Sequence, residues 1–532
     1  MTYPTGKSFR IWLLNGLILS SLLIFYLWII WLACGSDQWA HLDWIDYRKL
    51  FDIDDSWRFF LANALFYKPS IFLWNYILPV SSILDSSLST LCHGNLFAVR
   101  CFHIIGSIIC LSFIFSISYQ LTKDLMLALL SMVMIALMPI YPFIFASFYG
   151  EALFAFMVTF ICYLWVVKKN TLAIVGISLL PLIRPEGCVY VLLFGIYFGL
   201  KGEYKSVIYL CIPGFIYGLV LWIGLDSLSD MVSWRLALRE TMFMIPRQSI
   251  SQSALRLVQT LNPIMIGLWI LCFCLKPYRW LWPIYAGPMV IIVFQLISVL
   301  QGTFTYELRY FFSAIPVWGI CWTVPFGHVL NHYKNQQFPI KVVFIRICAI
   351  GLCLICIIHH SFQFDGFRHI LSHVINNRGP VKGYLTDMIH RYQSNRTHIE
   401  RLRLFADQVD SIIQMNHNIK RVFIRRHDVL YFLSFYKNGF KGDIVLIPYD
   451  SIGVSRYCED HHFGYNIDHL NHSFYHFSSG DHKENALFIG YLNDKNIKPV
   501  VQMGPVISPG IKEDTLYAYL VSYNHKKSVR CE

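Results

Sequence analysis

The sequence predicts an α-helical polytopic membrane protein of about eleven transmembrane helices, followed by a small C-terminal α/β domain outside the cytoplasm. Three observations predict it. The 532-residue chain is 56% hydrophobic with a mean hydropathy of +0.49, and only 14% of its residues are charged, against about 25% for a typical soluble chain. The apolar residues come in blocks of about 20, the length a helix needs to cross a bilayer. The basic residues, which give a net charge of +12, are scattered among short loops, as topology requires; they form no stripe that would suit nucleic acid.

The expected spans are about 11–34, 96–120, 124–146, 152–167, 171–184, 187–200, 205–225, 261–275, 280–300, 309–328 and 341–360. The first, Ile11 to Cys34, is too long for a signal-peptide core and is read as a retained span. Lys7 and Arg10 precede it and place the N-terminus inside. Alternate counting then puts Lys123, Lys168-Lys169, Lys201 with Lys205, Lys276 with Arg279, and Lys334 with Lys341 in inside loops, as the positive-inside rule demands. The spans between 152 and 200 are short, and pairs of them are open to tilting or re-entry. Residues 1–360 make the membrane domain. Within it, 35–95 form a first outer loop in which aromatic, proline-broken stretches suit helices lying in the interface.

After residue 360 the chain becomes polar. A helical stretch near 384–415 precedes strand-like runs at Arg421–Ile424, Ile444–Pro448, Ala486–Ile489, Val500–Gln502 and Leu516–Ser522, so 361–532 reads as a soluble α/β domain on the outer side. Thirteen of the twenty histidines lie in this tail, including Asp460-His461-His462 and His469-x-x-His472-x-x-x-His476. No Glu or Cys accompanies them at a catalytic metal spacing, and surface histidines explain them better. Thirteen of the fifteen cysteines sit in or beside apolar segments. Cys272-x-Cys274 and Cys353-x-x-Cys356 lack companion ligands and read as packing. Cys458 and Cys531 are free to pair if the tail faces an oxidising compartment.

The same charge count puts the mixed-charge corners on the outer face. Asp54-Asp55 in Phe51–Arg58 is an acidic doublet beside the bilayer, costly unless something uses it or water reaches it. Its bland reading is a helix N-cap; its functional one is a general base for an acceptor hydroxyl, or a holder of a divalent cation such as Mg²⁺ or Mn²⁺. Arg58, one turn on, can pair with either acid or face a phosphate. Glu151 opens a span and can simply stabilise a helix N-terminus. Arg184-Pro185-Glu186-Gly187 joins two short spans, and Tyr306-Glu307-Leu308-Arg309 precedes another; their bland readings are a snorkelling arginine and an ion pair. No phosphate-cradling Gly-Lys-Ser/Thr loop, Gly-x-Ser-x-Gly elbow or dinucleotide glycine pattern occurs.

In order and sidedness these motifs resemble the GT-C class of polytopic glycosyltransferases. The likeness covers residues 1 to about 330. It rests on Asp54-Asp55-Ser56-Trp57-Arg58 after the first span, Tyr149-Gly150-Glu151-Ala152-Leu153-Phe154 opening a middle span, Leu182-Ile183-Arg184-Pro185-Glu186-Gly187 about thirty residues on, and Arg309-Tyr310 through Pro316. The pairing of the glutamate with the Arg-Pro corner is similar to mannosyltransferases. The resemblance implies a polyprenyl-phosphate-linked sugar donor, a hexose such as mannose, with a glycan, lipid or protein acceptor, and Asp54 or Asp55 as the base. It implies that Arg58, Arg184 or Arg309 neutralises the leaving lipid phosphate, with Glu151, Glu186, Tyr306 and Glu307 lining the substrate site. Which aspartate is the base stays open, as does any need for metal. The expected location is a bacterial inner membrane with the site and tail facing the periplasm. An endoplasmic reticulum membrane also fits, although no retrieval signal ends the chain at Arg530-Cys531-Glu532. The rival from another class is a transporter or flippase of a lipid-linked or anionic solute, which predicts charges within spans and an internal repeat. A non-catalytic scaffold predicts indifference to the aspartates.

Overall fold

The computed structural model describes residues 6–34, 79–93, 95–138, 140–147, 150–224, 263–300, 315–335 and 338–365, part of 404–415, and five strands beyond. Asp54, Asp55, Arg58, Tyr306, Glu307, Arg309, the two tail cysteines and the tail histidine clusters lie outside these residues. The described helices are α1 (Gly6–Cys34), α2 (Pro79–Leu91), α3 (Leu96–Thr122), α4 (Leu125–Ala136), α5 (Ile140–Ala146), α6 (Gly150–Val166), α7 (Asn170–Leu179), α8 (Gly187–Leu200), α9 (Tyr204–Gly224), α10 (Pro263–Cys274), α11 (Trp282–Leu300), α12 (Ile315–Asn335) and α13 (Pro339–Asp365). The protein is a mostly helical, polytopic integral membrane protein. Among the described residues three segments, Phe97–Thr122, Lys276–Ile297 and Pro339–Ile357, are long and apolar enough to cross a membrane. Other apolar helices are shorter, at 10–17 residues.

Two expected spans are corrected. The span at 124–146 is two helices, α4 and α5. The chain carries Pro139 and Pro142 there; proline has no N–H to donate and its ring crowds the preceding turn. The span expected at 309–328 is described from Ile315, and α12 runs on to Asn335. Lys334 thus lies in the last turn of α12 and Lys341 in the first turn of α13, rather than in a loop between them.

Helices in lipid gain little from apolar burial, so close approach and interhelical hydrogen bonds carry the packing. Gly319 of α12 abuts Ser131 and Ile135 of α4 and Ile114 of α3, and Gly287 of α11 abuts the Tyr190 ring of α8. Ser131 Oγ donates to Gly319 O at 2.8 Å, Ser118 Oγ to Ser131 Oγ at 3.0 Å, and Thr323 Oγ1 to Ser118 Oγ at 3.3 Å, stitching α3, α4 and α12 together. Tyr26 of α1 donates to Ala136 O at 2.6 Å. Cys272, Cys353 and Cys356 are buried as packing requires, and Cys272 and Cys353 donate to the carbonyls of Cys321 and Leu130, whereas Cys274 is exposed.

The lysine-bearing turns meet at one end of the bundle. Tyr278 Oη donates to Leu121 O at 3.3 Å and Asn331 Nδ2 to Thr122 O at 3.2 Å. Lys168 Nζ lies 3.8 Å from the centre of the Trp280 ring. Both Lys123 (φ 53) and Lys168 (φ 63) close their helices in the left-handed region, a common way to end a helix in a tight turn.

The strands β1 (Ile419–Ile424), β2 (Val445–Pro448), β3 (Glu484–Gly490), β4 (Val501–Val506) and β5 (Asp514–Tyr523) form one sheet in the order β2-β1-β3-β5-β4. β1 is parallel to β2 and β3, while β5 is antiparallel to β3 and β4. β4 lies at an edge, and its register slips between Met503 and Val506, where the chain carries Gly504-Pro505. Edge strands tolerate a proline that a central ladder would reject.

Candidate active-site corner

The sequence Leu180–Gly187 folds as a corner because each of its residues meets a backbone requirement there. After α7, Leu180–Leu182 tighten into one 3₁₀ turn. Ile183 N and Arg184 N both donate to Leu180 O, at 3.0 Å each. Gly187 N donates to Arg184 O at 2.9 Å and Cys188 N to Pro185 O at 3.1 Å. A proline at 185 loses nothing, since its missing N–H lies where a turn leaves donors unused. Gly187 is required by space: a Cβ there would collide with the carbonyl of Leu180.

This corner presents an arginine to two carboxylates. Arg184 Nη1 lies 2.6 Å from Glu151 Oε1. Its Nη2 donates to Glu186 Oε1 at 2.7 Å and its Nε to Glu186 Oε2 at 3.1 Å. The side chains of Glu151, Arg184 and Glu186 are 3%, 12% and 23% exposed, so the group is largely desolvated. A planar guanidinium suits this task because its fork can meet one carboxylate with two parallel bonds and still offer an N–H to a second. Glu186 occupies the N-cap position of α8 yet makes no cap bond; its carboxylate is turned to Arg184 instead. Glu151 enters from the first turn of α6. Phe154 of α6 and Tyr190 of α8, three residues on from Glu151 and Gly187 respectively, meet edge-to-face at 6.0 Å.

Of the nine candidate site residues, three are thus brought together, Glu151, Arg184 and Glu186. The other six lie outside the described residues. Two more polar residues serve the same end of the bundle and carried a sequence signal that motif reading passed over. Arg100, fully buried in the first turns of α3, donates to Ala146 O at 2.7 Å, and His103 Nδ1 lies 3.2 Å from Ser147 O. Both hold the carbonyl end of α5 just before Glu151. Their signal was an ionisable pair inside an apolar run.

A helix of 14 residues is about 21 Å long, short of a hydrocarbon core of about 30 Å. α8 has 14 residues, and α7 with its 3₁₀ turn has 13. The corner joining them is therefore recessed below the far boundary when their lysine ends sit at the near one. Beside it lies an apolar cavity of about 550 Å³, lined by Pro181, Cys188, Leu192 and Gly195 and by Leu210 and Gly214 of α9. Among the described residues no three His, Cys, Asp or Glu side chains are placed to hold a metal ion.

At the opposite end, Asp124 caps α4. Its Oδ1 accepts from Met126 N and Leu127 N, both at 3.1 Å. Its Oδ2 accepts from Lys334 Nζ at 2.9 Å and Arg346 Nη2 at 2.8 Å. Burial alone would raise this carboxyl's pKa, but the hydrogen bonds from Arg346, Lys334 and the backbone outweigh it and hold it below the ordinary value. Stability from such a group is fully present above the unfolded carboxyl pKa and is lost as pH falls through the lowered folded one. Asp124→Asn keeps a cap acceptor, so it isolates the charge. It is expected to lower the apparent melting temperature at neutral pH. The gap to the parent protein should narrow in acid, below the ordinary carboxylate range, in thermal scans of the detergent-solubilised chain. A gap that stays constant across that range excludes the charge contribution.

No protein-family model matches the chain, and no curated protein matches it in sequence. Solved structures share its architecture. A crystal structure of ArnT from Cupriavidus metallidurans bound to undecaprenyl phosphate superposes with a TM-score of 0.55 at 10% identity, covering 94% of this chain and 97% of that one. The apo state of ArnT gives 0.54 at 8% identity with the same coverage. At such identities the likeness is one of fold, and nearly the whole length of both chains takes part. The chain shares the fold of ArnT over nearly its whole length.

Proposed function

We propose that the protein is a membrane glycosyltransferase that moves a hexose such as mannose from a polyprenyl-phosphate donor to a glycan, lipid or protein acceptor on the outer face. The observation that carries this reading is the largely buried Glu151–Arg184–Glu186 group, formed by the two motifs of the resemblance in a chain that shares the fold of ArnT. ArnT, whose fold it shares, has been captured with undecaprenyl phosphate, and the apolar cavity beside the corner suits an isoprenoid chain.

This geometry supports a different division of roles. Arg184 already meets two carboxylates through Nε, Nη1 and Nη2, which leaves little of its fork for a phosphate. Neutralising the departing lipid phosphate therefore falls to Arg58 or Arg309, and Arg184 becomes the tie that fixes α6 against the corner. Asp54 or Asp55 takes the proton of the acceptor hydroxyl as its oxygen attacks the anomeric carbon and the lipid phosphate leaves with the bonding pair. A divalent cation held by the same doublet would serve by polarising the hydroxyl.

Asp54→Asn and Asp55→Asn, assayed separately for transfer from a polyprenyl-phosphate hexose in membranes, test the reading. Loss of the base is expected to cost about 10²–10⁴-fold in rate, in one variant and not equally in both. Full activity in both variants, or no transfer by the parent protein from any such donor, sinks it.

A further inference from the structure

At the lysine-bearing end of the bundle, Asp124 balances only one of the two cations it holds. Its carboxylate is saturated: Oδ1 takes two backbone N–H groups and Oδ2 takes both Lys334 and Arg346. One buried negative charge, 2% exposed, faces two positive ones that are 35% and 38% exposed, so the cluster keeps a net positive charge at the surface. Donors are left over as well. An ammonium has three N–H and a guanidinium five, and Arg346 Nε is buried with no hydrogen-bond partner among the described residues.

The surroundings say what would complete it. Arg346 lies seven residues beyond the start of α13, an apolar segment long enough to cross a membrane. It sits between the buried face of that helix (Ile345, Ala349) and a face on which Val343, Phe344 and Ile347 are 54%, 65% and 60% exposed. A ligand here meets cationic donors and hydrocarbon within one helical turn. At the same end, Lys341 Nζ lies 4.8 Å from the Tyr333 ring centre and 4.5 Å from that of Phe338, the aromatic and basic pairing that marks headgroup depth. An exposed cation pair in that position attracts anionic headgroups over zwitterionic ones.

We propose that Lys334 and Arg346 form a binding site for the phosphate of an anionic phospholipid headgroup, with Asp124 as the buried carboxylate that offsets one of their two charges and the exposed Val343, Phe344 and Ile347 as the seat of the acyl chains. This site lies at the end of the bundle opposite the corner and does not depend on the transfer reaction.

The test is native mass spectrometry of the full-length protein titrated with phosphatidylglycerol and, separately, phosphatidylcholine. The parent protein should prefer phosphatidylglycerol. Arg346→Gln and Lys334→Gln should each weaken that lipid by about five-fold and leave phosphatidylcholine unchanged. Arg346→Lys should retain most of the preference, and Asp124→Asn, which frees both cations, should keep or strengthen it. Thermal scans in phosphatidylcholine nanodiscs identify any variant that fails to fold; the remaining variants then carry the comparison. Three results overturn the proposal: no preference in the parent protein, a full preference in the Lys334→Gln/Arg346→Gln double variant, or equal stabilisation by inorganic phosphate in phosphatidylcholine nanodiscs, which would mean a soluble anion and no lipid.

Discussion

Arg184→Gln is expected to destabilise the protein by about 3–5 kcal/mol, the cost of leaving buried charges without their partner, and to abolish sugar transfer with it. The substitution strands Glu151, only 3% exposed, and Glu186 beside each other with one neutral amide between them. Two carboxylates so placed cannot both stay ionised in a poorly solvated site, so one takes up a proton or the corner opens to water. Glu151→Gln should cost less than Arg184→Gln, because Glu186 still holds the guanidinium by two bonds. Glu186→Gln should cost least, because its side chain is the most exposed of the three. Arg184→Lys keeps the charge but lacks the fork that reaches both acids, and should fall between the parent and Arg184→Gln. Apparent melting temperature in detergent, read beside transfer activity, checks the order. If Arg184→Gln melts with the parent protein, the ion group does not hold the corner.

Gly187→Ala is the second large expected effect. An added Cβ would overlap the Leu180 carbonyl carbon and oxygen, and these are backbone atoms that no rotamer change can move aside. Relief requires shifting the 3₁₀ turn away from α8, which drags Arg184 from its two carboxylates. Overpacking of this kind costs about 1–3 kcal/mol or more, with transfer activity lost through the displaced corner. Gly195→Ala, in the same helix, meets nothing within 4 Å and should be neutral. The pair forms an internal control: equal melting temperatures for the two variants would show that the corner has room the structure denies it.

How much of this could be read in the sequence differs from part to part. The helices near 96–122, 150–166, 187–200 and 204–224 follow from apolar runs bounded by lysine turns, and their ends fall within a few residues of the expected spans. The run at 124–146 misled because hydropathy continues across Pro139 and Pro142 while helical hydrogen bonding does not. The expected span stops at 328, whereas α12 continues to Asn335. In the folded chain Gly327 packs on Thr122 and Asn331 donates to its carbonyl. Tertiary contacts keep that stretch helical.

At the corner, the motif Arg-Pro-Glu-Gly was visible as an unusual charged turn, and its partner Glu151 as a charge at a helix start. Their mutual contact, 33 positions apart in the chain, was not. By itself the sequence determined what lipid imposes on any chain: where apolar length suffices to span, and which turns gather positive charge, since both follow from local composition. Only the tertiary structure decided which charges meet. It joined Arg184 to Glu151, and Asp124 to Lys334 and Arg346. An ion pair forms at a few ångströms between residues far apart in sequence, and hydropathy holds no record of that distance.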